Sequence, residues 1–209
     1  MGPDHDFGGP PIMRTLPDGR RILLAAQKSG AVYAFDPGHA GRILWKAQAG
    51  QGSDLGGSEW GPAADGERIY VAASDVHSRG GNMPGGLTAF DLATGRRLWH
   101  APSRVPECSW GKDNCSAAQS QAVSVIPGAV FSGSQDGHLR AYSTGDGSLL
   151  FDVDTARSYD TVNGVAAAGG SLDHAGPVIV DGMLFVNSGY GKITGKSGNV
   201  LLAFALDGR

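Results

Sequence analysis

Short stretches of alternating apolar and polar residues run along the whole chain, separated by turns rich in glycine and proline. The alternation predicts half-buried β-strands, because successive side chains of a strand point to opposite faces of a sheet. Near the start of the chain it predicts strands at 11–16, 21–26 and 32–35, with a hairpin turn at 17–19. No stretch approaches the roughly 18 apolar residues that a membrane-spanning helix needs.

One phrase of the sequence occurs four times, at 31–45, 86–99, 138–151 and 200–208. The alanines that align the copies lie at positions 34, 89, 141 and 203, so the intervals are 55, 52 and 62 residues. In the three complete copies a glycine stands four residues before an aromatic side chain, which is Trp45, Trp99 or Phe151. Agreement in both spacing and residue type identifies an internal repeat.

Each repeat predicts a four-stranded antiparallel unit, since two further strand segments precede every copy of the phrase. Four strands per 50 to 60 residues are typical of a β-propeller blade. The chain is therefore predicted to be a single all-β domain, a partial propeller with blades at about 8–48, 58–103, 117–155 and 173–209. The three aromatic residues are expected to pack between neighbouring blades. The fourth blade lacks its last strand, which predicts that further blades or a second copy complete the ring.

The composition of the chain bears on its turns, its possible partners and its cellular location. The 34 glycines supply the turns of an all-β chain, and a net charge of -3 gives no electrostatic footprint for nucleic acid or anionic lipid. The first residues show no signal peptide. Cys108 and Cys115, the only cysteines, lie close together in one predicted loop, which indicates a disulfide and a periplasmic or secreted location. Two reduced thiols in a cytosolic protein are the alternative.

Polar and aromatic residues gather in the loops that a propeller places at one face, around its axis. These are the loops that enter the innermost strand of each unit and the loops between its two middle strands. A concave rim of converging polar groups is a candidate binding site, although loops are commonly polar without any function. The candidate residues are Asp4, His5, Asp6, Gln27, Lys28, Glu59, Trp60, Asp75, His77, Gln119, Ser120, Gln135, Asp136, Asp173, His174, Tyr190 and Lys192.

The repeated phrase resembles the tryptophan-docking repeat of the quinoprotein dehydrogenases, eight-bladed propellers that carry pyrroloquinoline quinone (PQQ). Further stretches, among them 2–8, 27–33, 115–120 and 131–141, are similar to the polyvinyl-alcohol dehydrogenases. The resemblance covers essentially the whole chain and implies that it corresponds to the C-terminal half of such an enzyme. It also implies a PQQ-dependent oxidation of secondary alcohols, a Ca²⁺ ion and a cytochrome c that accepts the electrons.

The resemblance assigns roles to four residues of this chain. Asp6 matches the general base that lies near the metal and is the candidate metal ligand, although one carboxylate alone binds Ca²⁺ weakly. Lys28 matches the cation placed against the quinone oxygens, with Gln27 beside it in the same loop. Trp60 is a candidate contact for the edge of the cofactor. The structural alternatives are a turn cap for Asp6, a solvated Lys28 and a packing role for Trp60.

Two functional hypotheses follow. The first is a PQQ-dependent alcohol dehydrogenase of the polyvinyl-alcohol type, of which this chain is a part. The second is a non-catalytic propeller that keeps the repeat without the cofactor and acts as a scaffold or binding module.

Overall fold

The computed structural model describes residues 3–76, 85–191 and 195–205. These residues form antiparallel sheets, and the described ranges contain no helix. The all-β prediction is therefore confirmed, and three of the four main sheets have four strands in simple sequential order. We call the four main sheets units 1 to 4.

The strand bounds follow the repeats. Unit 1 contains β1 (Ile12–Thr15), β2 (Arg21–Ala26), β3 (Ala31–Asp36) and β4 (Arg42–Gln48). Unit 2 contains β5 (Ala63–Ala64), β6 (Arg68–Ala73), β7 (Gly86–Asp91) and β8 (Arg97–Pro102). Unit 3 contains β9 (Ser124–Ile126), β10 (Ala129–Gly133), β11 (His138–Ser143) and β12 (Leu149–Asp154). After an unpredicted hairpin of β13 (Ser158–Tyr159) and β14 (Ala167–Ala168), unit 4 contains β15 (Val178–Val180), β16 (Met183–Ser188) and β17 (Val200–Ala205).

The repeated phrase has the same register in each complete unit. A β-bulge follows the alanine of the phrase, between Ala34 and Phe35 in unit 1 and at the matching positions of units 2 and 3. The alanine pairs with the large aromatic residue of the next strand, as in Ala34 opposite Trp45 and Ala89 opposite Trp99. A small residue beside a large one leaves room for the ring to lie flat on the sheet, which explains why alanine recurs there.

Two of the three predicted aromatic contacts between units are buried. The indole nitrogen of Trp45 donates a hydrogen bond to the Leu92 carbonyl oxygen at 3.1 Å, and that of Trp99 donates to the Thr144 oxygen at 3.0 Å. Both acceptors lie in the following unit, so each indole joins two units. Phe151, at the same place in unit 3, remains 40% exposed and meets the ring of Phe204 edge-on. A phenyl ring has no donor for the carbonyl group, and it covers less area than an indole.

Each buried indole packs against a glycine of the following unit. Gly95 has φ +71°, and a Cβ atom built on it would lie 2.6 Å from Trp45; Gly147 has the same relation to Trp99. Gly41 has the same φ of +71°, but a Cβ atom built there has no neighbour within 4 Å among the described residues. The three turns therefore share one backbone conformation but not one environment.

This difference predicts unequal effects of the same substitution. Gly95→Ala and Gly41→Ala both place a side chain at positive φ, at a cost of about 1–2 kcal/mol. Gly95→Ala also pushes against Trp45, which adds about 1–3 kcal/mol of overpacking. Urea unfolding of the two variants measures the difference directly. Equal losses of unfolding free energy in the two variants would show that the Trp45 indole moves aside without an energetic cost.

The two cysteines form the predicted disulfide, Cys108–Cys115, with Cα atoms 5.8 Å apart. The loop they close is attached to the rest of the molecule through Ser109, whose hydroxyl group donates to the Ala156 carbonyl oxygen at 2.9 Å. Trp110 of the loop lies under the Lys196 ammonium group, 5.6 Å from nitrogen to ring centre. Within the described ranges no helix is long and apolar enough to cross a bilayer.

Candidate active site

In every unit at least one backbone hydrogen bond brings the two rim loops together. A residue of the middle loop donates its N–H to a carbonyl oxygen of the loop that enters the same unit. The donors and acceptors are Lys28 to Asp6, Ser74 to Gly57, Gln135 to Ala118, and Tyr190 to Ser171, at 3.1, 2.9, 3.0 and 3.0 Å. The repeated bond places side chains from both loops at one face of the molecule, as the sequence predicts.

Lys28 is held between two carboxylates at this face. Its Nζ lies 3.2 Å from Asp4 Oδ2 and 3.3 Å from Asp6 Oδ1, and only 16% of its side chain is exposed. Partial burial alone would lower the pKa of Lys28, but the two carboxylates outweigh burial and raise it. Lys28 is therefore a fixed ammonium ion rather than a mobile surface lysine.

A cleft of about 300 Å³ opens beside this cluster, a volume at the lower end of the range for small-molecule sites. Its wall draws on the rim loops of all four units. The lining residues are Asp6, Gly8, Lys28, Leu55, Glu59, Trp60, Val76, Gln135, Asp173 and His174. Seven of these ten belong to the rim residues that the sequence predicts.

Aromatic rings form one side of the cleft. Trp60 stacks on His174 with ring centres 4.2 Å apart, and His174 meets Tyr190 at 5.3 Å. His174 has φ +64°, an uncommon value for a residue with a side chain. Its Nδ1 atom is buried, and the described part of the chain offers it no hydrogen-bond partner. The Nδ1 atom lies 3.9 Å from Asp173 Oδ2, beyond hydrogen-bond distance. Backbone strain and a buried polar atom without a hydrogen bond at one residue are typical of functional sites.

Glu59 is an acid of the cleft whose pKa is strongly raised. It is half-buried, and burial raises the pKa of its carboxyl group to about 7, assisted by the charges of Asp173, Asp6 and Asp4 and opposed by Lys28. Glu59 therefore exchanges its proton near neutral pH, as groups that transfer protons in active sites commonly do.

The raised pKa of Glu59 predicts a pH dependence of stability. A carboxyl group whose pKa rises on folding favours the folded state at low pH, and this contribution is lost as the pH rises toward the folded value. The melting temperature should therefore fall between about pH 4.5 and pH 7 in the wild type. Glu59→Gln should flatten this part of the profile, whereas Glu67→Gln, which removes an exposed carboxylate, should leave it unchanged. Identical profiles for wild type and Glu59→Gln would contradict the assignment.

Several predicted rim residues have structural roles away from the cleft. Gln27 accepts a hydrogen bond from Ser29 within its own loop, at 2.6 Å. Asp75 accepts backbone N–H groups of Gln51, Gly52 and Gly57. Buried Asp136 pairs with Arg140, and buried Gln119 bonds to Ser132 and Tyr142. His77 and Lys192 lie outside the described residues.

Two apolar lining residues were missed by the sequence reasoning. Leu55 and Val76 form an isolated β-bridge and close the unit 2 side of the cleft. Both lie in the rim loops of unit 2, so the repeat already indicated their location. They contribute an apolar wall, which a pattern of polar loop residues does not indicate.

The residues of the cleft fit a quinone cofactor better than they fit a metal ion. Exposed Trp60 offers a flat surface for a planar ring, and Lys28 offers a cation for quinone or carboxylate oxygens. For Ca²⁺ the fit is poor, because Asp4 and Asp6 already bind the Lys28 ammonium group. The described residues contain no group of three or more His, Cys, Asp or Glu side chains that could hold a metal ion. Ca²⁺ prefers six to eight oxygen ligands.

Sequential antiparallel units around a rim cleft define the class of this protein as a segment of a β-propeller. A family model of PQQ-type repeats, described as outer membrane protein assembly factor BamB, matches residues 83–209. The chain belongs to this PQQ-repeat propeller family.

Two relatives show similarity over the full length of the chain. Both are named polyvinylalcohol dehydrogenase; the protein from Pseudomonas sp. is 46% identical and that from Sphingopyxis sp. strain 113P3 is 43% identical. The match covers 100% of this chain and 34% of each relative, so the chain spans about a third of their length. These similarities agree with the branch that the sequence motifs indicate.

Solved structures support the fold. BamB from Moraxella catarrhalis superposes with a TM-score of 0.60 at 17% identity, over 97% of this chain and 51% of that one. Quinohemoprotein alcohol dehydrogenase from Comamonas testosteroni also gives 0.60, at 14% identity, over 95% of this chain and 38% of that one. At such identities the likeness concerns the fold alone, and it confirms a partial propeller.

Proposed function

We propose that this chain forms part of the active site of a PQQ-dependent alcohol dehydrogenase of the polyvinyl-alcohol type. The observation that carries the proposal is the placement of Lys28 between Asp4 and Asp6, at the wall of a cleft that also exposes Trp60. A propeller without a ligand has no need of a fixed ammonium ion beside an aromatic surface. Relatives named polyvinylalcohol dehydrogenase support the same function.

In this proposal each residue has one task. Lys28 binds the oxygens of the quinone, and Trp60 contacts the edge of its ring, with Gln27 supporting the loop that carries Lys28. Asp6, with 60% of its side chain exposed, accepts the hydroxyl proton of a secondary alcohol in the cleft. PQQ, when bound, supplies the two-electron oxidant for the alcohol carbon. Asp173 and His174 also line the cleft, and Leu55 and Val76 add apolar surface to its wall.

The remaining parts of the reaction require groups beyond the described residues. A Ca²⁺ ion near Asp6 would need most of its oxygen ligands from elsewhere, and we derive no step through it. A cytochrome c is the proposed acceptor of the electrons. A periplasmic or secreted location is proposed from the disulfide, because such bonds persist in oxidising compartments.

The test compares PQQ binding by alanine variants of two lysines, one in the cleft and one outside it. PQQ is titrated into the purified chain and followed by its absorbance, with and without Ca²⁺. We expect Lys28→Ala to weaken binding about 10- to 100-fold, the usual value of a lost charge-assisted hydrogen bond. Exposed Lys46, which lies over the Tyr33 ring outside the cleft, provides the control variant Lys46→Ala. Trp60→Ala should also weaken binding.

Dye-linked alcohol oxidation extends the test to a longer protein in which this chain replaces the matching third of the Pseudomonas relative. If the longer protein binds PQQ and oxidises alcohols but the 209-residue chain does neither, the cleft needs further units. Failure of both proteins to bind PQQ or to oxidise alcohols would overturn the enzyme proposal.

A second candidate function is a scaffold or binding module without a cofactor. It is favoured by one observation, the match of residues 83–209 to a family model named for an assembly factor. The two candidates differ in what they expect of Lys28→Ala. A scaffold would show no PQQ binding for this variant to weaken, whereas an enzyme would lose binding without losing its fold.

A further inference from the structure

The loop closed by the disulfide, residues 108–115, contacts two segments that follow it in the chain. We call it the disulfide loop. Its Ser109 hydroxyl group donates to the Ala156 carbonyl oxygen at 2.9 Å, and the Lys196 ammonium group donates to the same oxygen at 3.4 Å. That ammonium group also lies over the Trp110 ring, at 5.6 Å. The indole nitrogen of Trp110 donates to a carbonyl oxygen within the loop at 3.3 Å, so the ring depends on the loop for its orientation.

The backbone of Lys196 is bonded to the loop that enters unit 4. Its N–H donates to Ser171 Oγ at 2.8 Å, and the Ser171 N–H donates to the Lys196 carbonyl oxygen at 2.8 Å. The carbonyl oxygen of Ser171, a fully buried residue, accepts the N–H of Tyr190 at 3.0 Å. Asp173 and His174 follow Ser171 directly in the chain, after one intervening residue, and both line the cleft. Lys196 therefore joins the disulfide loop to a wall of the cleft.

The space around this pair of backbone bonds is narrow. A Cβ atom built on Gly170 would overlap the Lys196 carbonyl oxygen, and one built on Gly195 would overlap the Ser171 hydroxyl oxygen. Close-packed groups transmit displacements because they have no free volume in which to absorb them. A shift of Lys196 is therefore passed on to Ser171 and to the cleft residues that follow it.

We propose that the disulfide loop is a redox-sensitive clasp for the aromatic wall of the cleft, the name we give to Trp60, His174 and Tyr190. While the disulfide is intact, the loop holds the Lys196 side chain, and the Lys196 backbone holds the start of the loop that enters unit 4. Reduction frees the disulfide loop, which must then lose more conformational entropy to make the same contacts. The stack of Trp60 on His174 loosens as a result, while the four sheets stay folded.

The chemistry of the switch requires a dithiol reductant. The dithiol gives two electrons and two protons to the bond between Cys108 and Cys115, which leaves two thiols on the chain and a disulfide in the reductant. Both cysteines are half-buried rather than enclosed, and the loop residues 111–114 between them are exposed. A small dithiol can therefore reach the bond without unfolding the sheets.

The test measures amide exchange residue by residue, by nuclear magnetic resonance, in the oxidised chain and after reduction with dithiothreitol. We expect the amides of Ser171 and Lys196 to exchange about tenfold faster after reduction, the usual combined effect of losing one hydrogen bond and one cation–π contact. The Lys28 amide, which makes the rim bond of unit 1, is the control and should not change. The ring-current shift that Trp60 imposes on the His174 ring should decrease in the same samples.

Two double variants separate the disulfide from its contacts. Cys108→Ser with Cys115→Ser should show the fast exchange without reductant and no further response to it. Ser109→Ala with Trp110→Ala keeps the disulfide but removes both contacts of the loop. It should reproduce most of the acceleration, and reduction should then add little, because the two changes act through one connection.

Three results would overturn the proposal. One is unchanged exchange at Ser171 and Lys196 in a chain whose two thiols titrate fully. Another is equal acceleration at Lys28, which would assign the effect to a loss of stability throughout the chain. The third is wild-type exchange in the double alanine variant, since the contacts would then transmit nothing. This third measurement decides the question even if the double serine variant does not fold.

Discussion

Truncation of Trp99 to alanine is expected to lower the free energy of unfolding by about 3–5 kcal/mol, the usual range for a buried tryptophan. The indole is 9% exposed, packs against Tyr70 and extends across the junction between units 2 and 3. Its removal leaves a cavity at that junction and the Thr144 carbonyl group without its donor. Urea or thermal unfolding followed by far-ultraviolet circular dichroism measures the loss.

The matched control is Phe151→Ala. Phe151 holds the same position in unit 3, but its 40% exposure means that much less apolar area leaves water on folding. We expect a loss of about 1 kcal/mol, because surface truncations have small effects. Similar losses for the two variants would show that the junctions between units contribute little to stability.

The fold was predictable because the repeat encodes it several times. The units share their hairpin turns, an alanine opposite each tryptophan and a glycine four residues before that tryptophan. Because the units fold alike, the strands identified in one repeat predict the strands of the next. The hairpin of β13 and β14 was not predicted, since it occurs once and each strand has two residues. The exposure of Phe151 was also missed, because a sequence pattern does not show whether a neighbour covers a face.

The candidate site was predictable in location but less so in its members. Loop position placed Asp6, Lys28, Trp60 and His174 at one cleft. It could not show that Asp75 turns back to bind three backbone N–H groups. The raised pKa of Glu59 could not be predicted from the sequence either, because it depends on burial and on acids from two other units.

Asp136 gives the clearest case of a rim residue with a structural role. It is fully buried, and Arg140, 3% exposed, binds it through Nη2 at 3.0 Å and Nη1 at 3.3 Å. The same guanidinium group donates from Nε to Asp152 at 3.0 Å, and Asp152 also contacts His138. Burial alone would raise the pKa of Asp152, but the bonds from His138 and Arg140 hold it below its ordinary value. One guanidinium group therefore binds two carboxylates inside unit 3.

Replacement of Arg140 by methionine should destabilise the fold by about 3–5 kcal/mol, because it leaves the buried Asp136 charge without its cationic partner. Arg20→Met provides the control, since Arg20 pairs with Asp18 at 2.8 Å on the surface, where 62% and 51% of the two side chains are exposed. Its effect should stay within about 0.5 kcal/mol.

The double variant Arg140→Met with Asp136→Asn distinguishes an unpaired charge from lost packing. Removing the second charge should recover part of the stability, because the remaining polar group is neutral and bonds to Ser134. A loss from Arg140→Met no larger than that from Arg20→Met would mean that water reaches Asp136, contrary to its complete burial. A double variant as unstable as the single one would mean that the guanidinium group stabilises unit 3 through packing and through Asp152 rather than through its pair with Asp136.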